Sequence, residues 1–161
     1  MFPFYGFGGY QKGLGGGTSH CFPINRDKNN PEIEGIYMVA ETYRNTLNEI
    51  GFSGPTIFKP LLEKFIEDVK AGLGKKCYQI LLILTDGMIC DMSETKKQIV
   101  KMSGLPASII IVGVGNANFD SMEELDGDGG YLRDDSGNEC ERDIVQFVEY
   151  NAAVAKGDLA E

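Results

Sequence analysis

Two short segments carry oxygens that could do chemistry. Leu84-Thr85-Asp86-Gly87 sets a carboxylate where the apolar run Ile80-Leu81-Leu82-Ile83-Leu84 gives way to a sharp turn. Gly54-Pro55-Thr56 sets a hydroxyl just ahead of a stretch with helical periodicity. Hard divalent cations take such oxygen donors. Spacing alone also admits a plainer reading, with Thr56 as a helix N-cap and Asp86 as a turn residue.

Other patterns fail on inspection. Asp126-Gly127-Asp128-Gly129-Gly130 starts like a calcium loop, but Gly130 stands at the third ligand position and Tyr131 where the turn glycine belongs,. That excludes an EF-hand and leaves only a weaker surface calcium contact. The glycine tract from Gly6 to Gly17 has neither a GxGxxG frame nor a Gly-Lys-Ser/Thr step, so it reads as a hairpin loop,. Asp91-Met92-Ser93-Glu94-Thr95 imitates a metal motif, yet its place at the head of a helix favours capping through Asp91 or Ser93,. His20 is the sole imidazole, and nothing in the sequence orients it toward Cys90,. A Gly-x-Ser-x-Gly nucleophile elbow is missing as well,. The expectation is a protein that is not an enzyme.

Alternating elements must position Thr56 and Asp86. Phe2 to Phe7 reads as a strand, and His20 to Ile24 as a short edge strand because of Pro23,. Asn29-Asn30-Pro31-Glu32 is a helix-start signal, followed by Ile36, Val39, Ala40, Tyr43, Leu47 and Ile50 at helical spacing and by Gly51 as a stop,. A second helix presents Phe58, Leu61, Leu62, Phe65, Ile66 and Val69, ending near Gly72 and Gly74. Tyr78 to Thr85 is apolar at alternate positions of both parities, which predicts a strand covered by helices on both faces,. Ser108 to Val114 is a second strand of that kind, reached through a helix from about Ser93. Phe119, Met122 and Leu125 suggest a short helix, then come an acidic loop, a last strand from Ile144 to Val148, and a helix starting at Ala152. The fold class is α/β with a mostly parallel, doubly wound sheet in three layers, where function sits beyond the C-terminal strand ends.

Composition limits the partners. The chain has 161 residues, with Lys+Arg 15 against Asp+Glu 24 and a formal net charge of −9. Nucleic-acid binding is not expected, because phosphate neutralisation needs clustered Lys and Arg. The same balance disfavours docking on anionic lipid by this segment alone. No apolar run approaches the ~20 residues of a membrane helix. Cys21, Cys77, Cys90 and Cys140 lie far apart without a CxxC pair, so a reduced, cytoplasmic protein is expected,.

The chain resembles the von Willebrand factor A-type domain of copines over nearly its whole length. The resemblance rests on Tyr5-Gly6-Phe7-Gly8, Gly54-Pro55-Thr56, Ile80 through Gly87, Leu105-Pro106 with Ser108 through Gly115, Leu125 through Gly129, and Arg142 through Val148. It implies a single A-type domain over residues 1–161, with strand order 3-2-1-4-5-6 and a metal-ion-dependent adhesion site on the sheet rim. Thr56 matches the family's second-loop threonine and Asp86 its third-loop aspartate. The implied cation is Mg²⁺ or Mn²⁺, with Ca²⁺ as a further option.

The family's first strand, its Asp-x-Ser/Thr-x-Ser motif and its first helix would all precede Phe2, and the last helix is clipped. The implied site is therefore incomplete, and metal binding by this chain is expected to be weak or absent. A neighbour is missing from the middle of the implied sheet, which raises the expectation of a strand-exchanged homo-oligomer. The resemblance further implies a non-enzymatic module that binds intracellular proteins through their acidic residues. Calcium-dependent recruitment to membranes would come from modules outside the chain. The alternative host for such a domain is a RING-type ubiquitin ligase, where it binds substrates.

Overall fold

The computed structural model describes residues 1–12, 16–127 and 130–157, so Gly13, Gly15, Asp128 and Gly129 lie outside the described residues. The chain divides into two compact units, Met1–Leu61 and Leu62–Glu161.

The first unit is built from short antiparallel ladders and one helix. Its strands are β1 (Phe2–Pro3), β2 (Tyr5–Gly6), β3 (Gly9–Gln11), β4 (Phe22–Pro23), β5 (Glu32–Ile33) and, after helix α1 (Ile36–Leu47), β6 (Ile50–Phe52). β1 pairs with β5, β2 with β4 and β3 with β6. The expected single strand over Phe2 to Phe7 is thus two pieces with different partners. The helix-start signal at Asn29 to Glu32 is corrected too. Phe4 N–H donates to the Pro31 carbonyl at 3.2 Å, and Glu32 and Ile33 join a ladder. The helix begins only at Ile36, after Gly35 at φ 77°. Cross-chain pairing outweighs the local signal, since Pro31 suits an extended segment as well as a first helical turn.

Gly51, expected to stop a helix, lies within β6 opposite Tyr10, and Ile50 is a strand residue. The Tyr10 ring occupies the space a Cβ at Gly51 would need, so only glycine fits there. Ile24, Ile33 and Phe58 are buried in this unit. Phe7 and Phe58 meet edge to face with centroids 5.4 Å apart, a favoured aromatic geometry. α1 buries little: Thr46 is its buried residue, donating to the Ile24 carbonyl at 3.0 Å.

The second unit contains most of helix α2 (Lys59–Gly72) and a 3₁₀ turn at Leu73–Lys75. It continues through β7 (Gln79–Thr85), α3 (Met92–Met102), β8 (Ala107–Gly113), α4 (Asp120–Asp126), β9 (Val145–Glu149) and α5 (Tyr150–Lys156). The sheet is parallel in the order β7-β8-β9, with Leu81 opposite Ile109 and Ile111 opposite Phe147. Leu62, Ile66 and Val69 of α2 are buried at helical spacing,. Ile99 and Met102 of α3, Ile109 and Ile111 of β8, and Met122 and Leu125 of α4 are buried as well. Gly113 lies beneath the Phe119 ring, where a Cβ would come within 2.8 Å of it.

β7 departs from expectation. Its apolar run predicts burial on both faces, yet Ile80, Leu82 and Leu84 are 61%, 57% and 57% exposed while Ile83 on the opposite face is buried. Alternation sends residues 80, 82 and 84 to one face,. That face lacks a covering helix among the described residues. An apolar run records which surfaces favour burial, and it does not guarantee that a cover is present.

Candidate functional site

In a parallel sheet the strand C-terminal ends form one rim, where loops gather. The rim of the second unit follows Thr85, Gly113 and Glu149, because Thr85 pairs with Gly113 and Gly113 with Glu149. Asp86 is the first residue past β7 and is exposed on this rim. The buried Thr85 hydroxyl donates to the Gly87 carbonyl at 3.4 Å and tightens the turn that carries Asp86. Next along the rim, Gly115 turns the chain at φ 92°. Asn151, in the first turn of α5, donates through Nδ2 to the Gly115 carbonyl at 2.7 Å and to Asn116 Oδ1 at 2.9 Å. This clasp ties the loops after β8 and β9 together. Sequence reasoning missed it, because no short motif marks a contact between residues 35 positions apart.

Thr56 belongs to the first unit, is half-buried, and stands three residues ahead of Lys59, where α2 begins. That offset is too long for an N-cap position, so the plainer reading of Thr56 does not describe it. Asp91 does occupy the N-cap of α3, and its carbonyl accepts the Thr95 N–H at 2.8 Å. Neither Asp91 nor Ser93 supplies the expected side-chain cap bond, which corrects that part of the reading.

A divalent cation of the Mg²⁺ type takes six oxygens in octahedral array. Thr56 and Asp86 would give one hydroxyl and one carboxylate. Among the described residues no three His, Cys, Asp or Glu side chains group closely enough to hold a metal ion. The residues present therefore do not make a full donor set.

The acidic loop that begins like a calcium site is organised from within. Asp134 is buried, and its carboxylate accepts N–H bonds from Ser136 and Asn138 at 2.9 Å and from Asn138 Nδ2 at 2.8 Å. Those bonds, led by the Asn138 side chain, hold the Asp134 carboxyl below the usual carboxylate range. Its oxygens serve the turn itself. As for thiol chemistry, Cys140 is buried and desolvation pushes its thiol upward, away from the reactive thiolate,.

No helix among the described residues is long and apolar enough to cross a membrane. The copine family model matches residues 1–160. The chain is 48% identical over 151 residues to Copine-C of Dictyostelium discoideum, an alignment covering 91% of this chain and 27% of that protein. The chain thus spans about a quarter of its curated relative's length. A family match over nearly every residue, with identity this high, places the chain firmly: it belongs to the copine family.

Proposed function

We propose that this chain is a non-enzymatic protein-interaction module of a copine-like, calcium-dependent phospholipid-binding protein. Asp86, exposed on the rim beyond β7, is the observation that carries the reading. Its position is that of the third-loop aspartate of an A-type adhesion site, with Thr56 as the second-loop threonine. In a complete site these two oxygens join a first-strand Asp-x-Ser/Thr-x-Ser motif around Mg²⁺ or Mn²⁺. Hydroxyl ligands are neutral, so the ion keeps net positive charge and can accept a partner's carboxylate at an open position. The parallel order β7-β8-β9 agrees with the last three strands of the doubly wound A-type fold. Phospholipid binding belongs to modules outside this chain, and the module works in the cytoplasm. The family match favours this host over a RING-type ubiquitin ligase.

The test uses a chain extended N-terminally through the family's first-strand motif, titrated with fluorescent Asp- and Glu-containing peptides in Mn²⁺ or in EDTA. Binding that requires Mn²⁺ and disappears in Asp86→Ala and Thr56→Val supports the reading. Binding that ignores both the cation and these substitutions overturns it.

A further inference from the structure

The free edge of β7 has the properties of a self-complementary interface. Gln79 N–H donates to the Pro106 carbonyl at 3.0 Å and Val114 N–H to the Thr85 carbonyl at 2.8 Å, so odd-numbered residues of β7 bond toward β8. The backbone N–H and C=O groups of Ile80, Leu82 and Leu84 consequently point away from β8. Among the described residues β7 ends the sheet on that side. The side chains of the same three residues are more than half exposed. The strand Gln79–Thr85 contains no charge and no proline, the usual devices that protect an edge from pairing.

We propose that two copies of this chain pair through β7, antiparallel and centred on Leu82, to join their three-stranded sheets into one. This proposal stands independently of the cation reading. In that register Leu82 faces Leu82 of the second copy, and Ile80 faces Leu84 of the second copy, each pair exchanging two N–H···O=C bonds. These are the residues whose backbone groups point outward. On the opposite face Leu81 meets Ile83 of the second copy, and at the ends Gln79 meets Thr85. Every apolar residue finds an apolar partner, which is what an isologous two-fold contact demands.

Charge fixes the direction. Exposed Lys75 and Lys76 precede β7, and exposed Asp86 follows it. The antiparallel arrangement brings the lysines of one copy to the end where the second copy carries Asp86. A parallel, in-register pairing would set lysine beside lysine and aspartate beside aspartate, and like charges across strands repel.

Sedimentation velocity of the 161-residue chain over a concentration series tests the proposal. A reversible dimer is expected at tens of micromolar. Because Leu82 faces itself, Leu82→Lys places two lysines opposite each other and Leu82→Glu two carboxylates. Each variant alone should dissociate at least about tenfold more readily, and an equimolar mixture of the two should recover the dimer. Circular dichroism of each variant verifies that it folds, since Leu82 is exposed. A monomer at all concentrations overturns the proposal, whether the β7 edge stays open or another segment takes it. An open-ended series of larger assemblies overturns it too. So does a dimer indifferent to Leu82→Lys, or a mixture of folded variants that stays monomeric.

Discussion

The Arg142 guanidinium lies 5.8 Å from the centre of the Tyr78 ring and donates to its hydroxyl at 3.1 Å, across 64 positions of sequence. The same guanidinium donates to the carbonyls of Leu105 and Ala107. The Tyr78 hydroxyl also shares a hydrogen bond with Ser108. Ser108 and then Arg142 stabilise the phenolate, and together they outweigh desolvation to hold Tyr78 below its usual value. One planar cation therefore fastens the starts of β7 and β8 to the segment that leads into β9.

Arg142→Ala should lower the stability of the second unit by about 2–3 kcal/mol, the range for hydrogen bonds from a charged donor. Arg142→Lys should not restore it, because an ammonium lacks the planar fork that reaches the Tyr78 hydroxyl and the carbonyls at once. Tyr78→Phe should cost only about 1 kcal/mol. Urea unfolding of the single and double variants measures both the losses and the coupling between the two residues.

The two faces of β7 and β8 should respond very differently to truncation. Ile109→Ala or Ile111→Ala empties space in the buried layer and should cost about 2–5 kcal/mol,. Leu82→Ala removes a side chain that is 57% exposed and should fall within about 1 kcal/mol of the parent,. Denaturant midpoints measured below the concentration at which copies pair give the comparison.

Asp134 makes the loop before β9 sensitive to acid. Its folded-state pKa is depressed, first by the Asn138 side chain and then by the backbone N–H groups of Asn138 and Ser136. The contribution is present in full above the ordinary carboxylate value of ~3.9 and is lost as the pH falls through the lower folded value. Asp134→Ala should therefore shift the urea midpoint downward at pH 5–8. The gap from the parent should narrow steadily below about pH 4.

The four thiols should separate into two kinetic classes. Cys77 and Cys90 are exposed, whereas Cys140 is buried with its thiol pushed upward by desolvation. Iodoacetamide labelling followed by mass spectrometry should modify Cys77 and Cys90 first. Cys140 should react only once the unit opens.

Much of the second unit was legible in the sequence. Leu62, Ile66 and Val69 recur at the helical period, and they lie on the buried side of α2. The isoleucine run at 109–111 becomes β8, because a strand flanked by two parallel neighbours favours β-branched residues on both faces,. The first unit was harder to read. Strands of two or three residues carry too little periodicity to register, and their pairing joins residues as distant as Phe2 and Ile33. Gly51 illustrates the difficulty: its role follows from the Tyr10 ring packed above it, not from its neighbours in sequence. At the rim, Asp86 was legible from the end of an apolar run followed by a turn. The Asn151 clasp was not, because its partners lie on a different loop.

The cation account is tested most directly by calorimetric titration of Mn²⁺ and Mg²⁺ into two chains, the 161-residue chain and one extended N-terminally through the family's first-strand motif. The extended chain should bind with a one-to-one isotherm that Asp86→Ala abolishes, and the 161-residue chain should bind weakly or not at all. Equal affinity in both chains, abolished by Asp86→Ala, would show that the ligands come from within these residues and contradict the assignment of a first-strand motif. Silence in both would remove the cation from the account altogether.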